Sequence, residues 1–446
     1  MTPRIITRAL AAVTAVLVAL ILGTSCSKDT VDTRDVLLSY AADDAMVVVT
    51  FNPAEIIKSM GDYKPTSARD AAVLENLNKI KGIDTESGAF FTGSSSDGGV
   101  VVLAITSLDD LTSSLKEIGF KHTSVGEGYE AFNMPSSRVG FVAKDDVLWM
   151  VAGRTPESCV GEAQEKIEAA KAKPLAQWKR DRIAMDNTIN ILVSPQKAFV
   201  GKYVAVTIDI EGLKAKINAQ SLDNKGMTTG FFGEDAFKDL DRDLTAKVAN
   251  GASAIIAVSL PTDFDVNSVL SYSGMGVLSP LFEDFDSSIA LGLGMADKGG
   301  ANLGDYSTYT LNLVMRMKPG TADKALDTAI SAARSMWVPV TKADGVALFG
   351  NASSPIARAY TDANDLVITT SSAKLTPGKV DIDDVDDMIG YVDVNIAAKS
   401  PVAMLMGINY GIKVKGVATP ITFSLSIALD GAKGGFLENI LKINDL

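Results

Sequence analysis

Continuous apolar runs of strand length and stretches of period-two alternation recur along this chain, with amphipathic helical segments between them. Ala45 to Phe51 (AMVVVTF) is a continuous apolar run between Asp43-Asp44 and Asn52-Pro53, which reads as a buried strand. Pro53 suits a first helical turn, and Ile56, Ile57 and Met60 follow at helical spacing. The spacing of Ala72, Leu74, Leu77 and Ile80 predicts a second helix over 68–81. Gly98 to Thr106 supplies another strand. Ser107 then caps a helix that carries Leu108, Leu111, Leu115 and Ile118 and stops at Gly119. GYEAF and RVGFVAKDDVLWMV, between Gly128 and Val151, read as three short strands joined by tight turns. Thr155-Pro156 opens a charged helix that Pro174 ends, Ile189 to Val193 is a strand, and VAVTIDIEG alternates as a half-buried antiparallel strand does.

The pattern then comes round again. ASAIIAVSL (Ala252 to Leu260) repeats the first run and ends at Pro261. Tyr309, Leu311, Leu313, Met315 and Met317 alternate with mostly polar residues, and a helix is expected over 321–336. GVALF and IARAYTDANDLVITT repeat the three-strand stretch, with Asp365 standing for Asp146 at an offset of 219. The same offset takes Val204 to Phe423 and Gly212 to Gly431 in a last alternating strand. These landmarks predict an α+β fold of two tandem copies, each a mostly antiparallel sheet packed with helices, over 36–245 and 246–446. At 446 residues the chain is long enough for two cores.

The N-terminus has its own logic. Arg4 and Arg8 precede an apolar stretch, Ala9 to Leu22, too short to be a comfortable spanning helix, which marks residues 1–25 as a secretion signal. Leu22-Gly23-Thr24-Ser25-Cys26 resembles the cleavage site of bacterial lipoproteins, with Leu one place further back than usual, so the Cys26 thiol is expected to carry lipid. Residues 26–35 would form a polar tether, and the lipid would hold the body to the outer membrane, facing the periplasm or the cell surface.

Charge and chemistry narrow the function by exclusion. A net charge of −12 without clustered Lys and Arg argues against nucleic acid. Cys159 is the one thiol left after Cys26, and it reads as a small buried hydrophobe. The single histidine, His122, rules out His-rich metal sites and reads as a solvated loop residue. Asp381, Asp383, Asp384, Asp386 and Asp387 invite a calcium ion, although their spacing fails the EF-hand pattern. Gly431-Ala-Lys-Gly-Gly435 and Gly292-Leu-Gly294 lack the order of phosphate and dinucleotide loops. Ser113 with Lys116, and Ser371 with Lys374, match the S-x-x-K spacing of some acylated-serine enzymes without the accompanying motifs. Trp178, if exposed, could stack on a sugar.

The LGTSCSKD start and the AMVVVTFNPAEII strand together resemble Bacteroidetes lipoproteins catalogued as a domain of unknown function. The resemblance implies no site residues, because none are defined for that family. The expectation is a lipid-anchored envelope protein that binds a protein or glycan partner or serves a structural role, without catalysis. A hydrolase built from Ser, Lys and Asp residues, or a carrier of hydrophobic ligands, stays open as an alternative.

Overall fold

A computed structural model describes residues 30–65, 75–76, 79–92, 99–134, 137–194, 202–231, 236–261, 264–266, 270, 276–295, 309–380 and 387–444. Two compact units form, one of Met1–Phe231 with Ala432–Leu446 and the other of Phe232–Gly431. The helix expected over 68–81 lies mostly outside the described residues.

The first unit contains β1 (Val47–Phe51), β2 (Ile83–Thr92), β3 (Gly99–Ile105), β4 (Lys121–Ser124), β5 (Glu130–Asn133), β6 (Val139–Lys144), β7 (Val147–Ala152), β8 (Ile189–Val193), β9 (Tyr203–Glu211) and β10 (Lys214–Leu222). Its helices are α1 (Thr30–Leu38), α2 (Pro53–Met60), α3 (Leu108–Glu117), α4 (Pro156–Ala172) and α5 (Gln177–Ile183). The second contains α6 (Arg242–Ala249), β11 (Ala252–Ser259), β12 (Phe285–Met295), β13 (Tyr309–Met317), α7 (Ala322–Ser335), β14 (Val340–Ala343), β15 (Val346–Asn351), β16 (Ser354–Asp362), β17 (Asp365–Thr369), β18 (Gly390–Ile396), α8 (Pro401–Leu405), β19 (Gly411–Ala418) and β20 (Thr422–Asp430). The last helix, α9 (Phe436–Asn444), belongs to the first unit.

The fold class needs correcting. Within each unit the ten described strands pair antiparallel, and nine α-helices, most of them short, accompany the twenty among the described residues. This is a sheet-rich fold and not the expected α+β class, because strand outweighs helix. The amphipathic patterns do mark helices, but seven of the nine run ten residues or fewer, against twenty described strands. Local periodicity cannot weigh one against the other.

Pairing in the first unit runs β10-β9-β8-β1-β2-β3-β7-β6-β5-β4. In the second it runs β20-β19-β18-β11-β12-β13-β17-β16-β15-β14, the same order ten strands on. The equivalences differ from those expected. Ile105 N–H donates to the Asp146 carbonyl at 2.7 Å, and Met317 N–H donates to the Asn364 carbonyl at 2.8 Å, so Asp146 answers to Asn364, not Asp365. Likewise β9 answers to β19, whereas the expected landmark, residues 423–431, falls on β20 and the turn after it. Neighbouring strands of a hairpin share period two and glycine turns, so the alternation alone could not choose between them.

Both faces of the first unit's sheet are covered, which is why β1 reads as a continuous run. In the first unit Val48, Ala89, Val102 and Trp149 face Leu37 and Leu38 of α1. On the other side Val49, Phe90 and Val101 belong to the cluster that holds Ile56 of α2 and Leu111 and Leu115 of α3. Leu437 and Leu441 of α9 pack against this second cluster. The expected tether is helical from Thr30, and Arg34 of α1 is almost fully buried, donating to the backbone carbonyls of Met185 and Asn187. In the second unit α6 covers one face over Ala257, Ala290 and Val367, and α7 covers part of the other over Met315, Ala359 and Leu366.

Candidate functional site

Five ionisable side chains converge in the second unit. Asp365, the first residue of β17, is 1% exposed. Its Oδ2 accepts from Lys247 Nζ at 2.7 Å and its Oδ1 from Arg316 Nε at 2.5 Å. Lys247 also reaches Asp362 at 2.5 Å, and Arg316 reaches Asp241, which caps the N-terminus of α6 by accepting from Asp243 and Leu244 N–H. Four elements therefore meet here: α6 brings Lys247, β13 Arg316, β16 Asp362 and β17 Asp365. Burial alone would lower the Lys247 and Arg316 pKa values, yet their carboxylate partners raise both above the ordinary range. The cations are thus fixed in their charged form and committed to carboxylates. Neither is a proton donor or a nucleophile at neutral pH. In the first unit the equivalent ladder pair is Ala104 with Val147, so the cluster replaces an apolar contact.

This grouping was not legible as a unit from the residues in line. Arg316 lies 49 positions from Asp365 and Lys247 lies 118 away, so no local spacing joins them. The only legible signals were an acidic N-cap at Asp241 and a charge, Arg316, inside an alternating strand.

His122 lies on strand β4, half-buried and partnered, not on a solvated loop. Its Nε2 is 2.6 Å from Glu130 Oε2, and the ring stacks on Phe132 at 5.0 Å. Ser124 donates to the same Glu130 oxygen at 2.7 Å, and this bond, with the His122 contact, holds the carboxyl below the usual carboxylate range. The geometry is a carboxylate between two donors. Catalysis by a serine needs the imidazole on the hydroxyl, and here both point at the acid.

The other sequence candidates separate. Cys26 lies outside the described residues, as do Asp381, Asp383, Asp384 and Asp386; Asp387 is an exposed turn residue with φ 55°. Among the described residues no group of three or more His, Cys, Asp or Glu is placed to hold a metal ion. Cys159 is fully buried in α4, and burial pushes its thiol pKa up. Ser113 and Lys116 are exposed on α3, and Lys374 lies over the Tyr360 ring. Trp178 is half-buried, edge-on to Tyr203, with the Gly226 turn pressed against its ring.

The glycine motifs have structural explanations. A side chain at Gly292 or Gly294 would strike the backbone carbonyls of Val248 and Gly251, at 2.2 and 2.3 Å from its Cβ. At the Gly431 to Gly435 turn, the place a phosphate would take is filled by Glu438, whose Oε2 accepts from Gly435 N–H at 3.0 Å and Asp62 N–H at 3.3 Å. A shallow groove follows α7, lined by Asp323, Lys324, Asp327 and Thr328. Its charges are paired outward, Lys324 with Asp284 and Asp327 with Lys342. No described helix is long and apolar enough to cross a membrane.

No family model and no curated protein matches the chain. Among solved structures, crystal form I of TP0453 aligns over 77% of this chain and 94% of its own at 8% identity. The TM-score of 0.23 is too low to bear on fold or function.

Proposed function

We propose that this chain is a lipid-anchored protein of the cell envelope, held by its N-terminal cysteine, that acts as a binding or structural module without catalysis. The observation that carries the non-catalytic reading is the Asp365 cluster. At this cluster each ionisable group is paired with a neighbour of opposite charge, and among the described residues it leaves no base or nucleophile facing an open cleft. His122 is likewise spent on Glu130. The anchoring half rests on the apolar leader that ends at Cys26.

Two measurements test the reading. Cells fed a clickable fatty acid should label the wild-type chain and not Cys26→Ala, and the label should fractionate with the outer membrane. Equal labelling of both forms removes the anchor. Crosslinking in intact envelopes should recover a partner macromolecule, and recovery of the chain alone removes the binding role.

A further inference from the structure

The first described element is already locked into the body. α1 starts at Thr30, four residues after Cys26, and Leu37, Leu38 and the following Ala41 are fully buried. Arg34 is 1% exposed and donates to the backbone carbonyls of Met185 and Asn187. A guanidinium buried on two carbonyls cannot withdraw without leaving both unpaired, so α1 stays docked. Only the residues before Thr30 are left to act as a tether. Four residues span at most about 14 Å, so the chain can carry the Cys26 backbone no further than that from Thr30.

The helix also has a direction. Arg34 sits beside residues 185–187, just before Ile189 opens β8, whereas the chain after α1 enters β1 at Val47, which pairs with Val193 at the close of β8. α1 therefore runs along the sheet with its N-terminus at the end where β8 begins. Met185, 47% exposed, and Val36, 55% exposed, put apolar side chains beside that N-terminus. The opposite end of the sheet carries Val139, at the start of β6. It lies five strands and four ladder rows from Ile189, about 24 Å across the strands and about 13 Å along them.

We propose that this end of the first unit, around the N-terminus of α1 and Met185, faces the lipid bilayer that holds the anchor, so that the body lies against the membrane by one fixed end. The occupant is a bilayer surface and not a soluble domain, because the reach is too short for one. A domain of about 100 residues has a radius of gyration of about 13 Å and is therefore wider than the gap of about 14 Å that the tether allows. Charge does not hold the contact. Asp35 lies 3.5 Å from Arg180 and Asp186 lies 3.9 Å from Arg34, so the ionic groups beside α1 are matched with each other and ask for no anionic headgroup. The proposal rests on the Cys26 anchor proposed above and gives it an orientation.

The test uses the acylated full chain in phosphatidylcholine vesicles that contain a phospholipid spin-labelled at its headgroup. A bimane fluorophore is attached at Met185→Cys or at Val139→Cys, two positions of similar exposure. Cys159 is fully buried and the Cys26 thiol carries the lipid, so the label goes to the introduced thiol. Quenching should be several-fold stronger at 185 than at 139. An insertion of about twelve Gly and Ser residues between Asp29 and Thr30 adds roughly 20 Å of r.m.s. reach and should bring the two sites toward equal quenching. Equal quenching in the chain without the insertion overturns the proposal, as does strong quenching at 185 that the insertion leaves unchanged. Flotation with the vesicles separates the two readings. A chain that does not float removes the anchor and this orientation with it, whereas a chain that floats and is quenched equally at both sites removes the orientation alone.

Discussion

Trp337 adopts φ 62° and is 94% exposed, although a left-handed backbone suits glycine. It is the residue after the cap of α7, and its N–H donates to Arg334 while Val338 N–H donates to Ala333, the paired bonds of a Schellman turn. Gly119 makes the same turn after α3, with φ 98° and matching bonds from Gly119 to Lys116 and Phe120 to Leu115. Trp337→Gly should therefore raise stability by about 1 kcal/mol, because it relieves the backbone and sacrifices almost no buried surface. A urea unfolding midpoint that does not rise would show that the indole is held by the fold. Asp365 is the opposite case, a residue whose removal is costly. Asp365→Ala leaves Lys247 and Arg316 short of a counter-charge and should cost about 3 kcal/mol. Asp365→Val with Arg316→Ala, which copies Val147 and Ala104, should cost less than Asp365→Ala alone in the same urea measurement. Gly119 was legible as a helix stop from its residue type. Trp337 was not, since nothing in a tryptophan announces a left-handed turn.

At the scale of elements, α9 is held by one carboxylate. Burial alone would raise the Glu438 pKa, but Lys442 and the N–H groups of Gly435 and Asp62 outweigh it and hold the group below the usual carboxylate range. A folded pKa below the unfolded one means the contribution is complete above about pH 4.3, the unfolded value, and fades as pH falls through the lowered folded value. Glu438→Gln should therefore weaken α9 at pH 7, and its deficit against wild type should shrink as the pH falls below about 4. Hydrogen exchange of the α9 amides at several pH values measures this, and a deficit constant with pH would remove the carboxylate's role. In sequence the stretch before α9 shows only as the glycine run Gly431 to Gly435. The carboxylate was hidden because its partner, Asp62, lies 376 positions away. Strands with local signals fared better. β1, β3 and the helix α3 between Ser107 and Gly119 were readable, since caps and apolar runs are properties of adjacent residues.

For the whole molecule, sequence order and structural membership diverge at the C-terminus. Residues 432–446 follow the last strand of the second unit, yet they count with the first, where Leu437 and Leu441 pack against the cluster of Val49, Phe90 and Val101. A reading in which each half closes over its own helices puts the boundary between 245 and 246, and the compact units divide between 231 and 232 instead. Linear patterns report which residues are apolar, not which distant surface they cover, so this exchange could not be read from spacing. It has a consequence that ordinary truncation logic would miss. Cutting the chain after Gly431 removes residues attached to the second unit but uncovers apolar surface in the first. Each large side chain so exposed forfeits about 1.5–3 kcal/mol of burial. Hydrogen exchange by mass spectrometry should then show faster exchange in β1, β2 and β3, with β11, β12 and β13 unchanged. Faster exchange in β11 to β13 instead would mean that α9 stabilises the unit it follows, and the division of the chain would have to be redrawn.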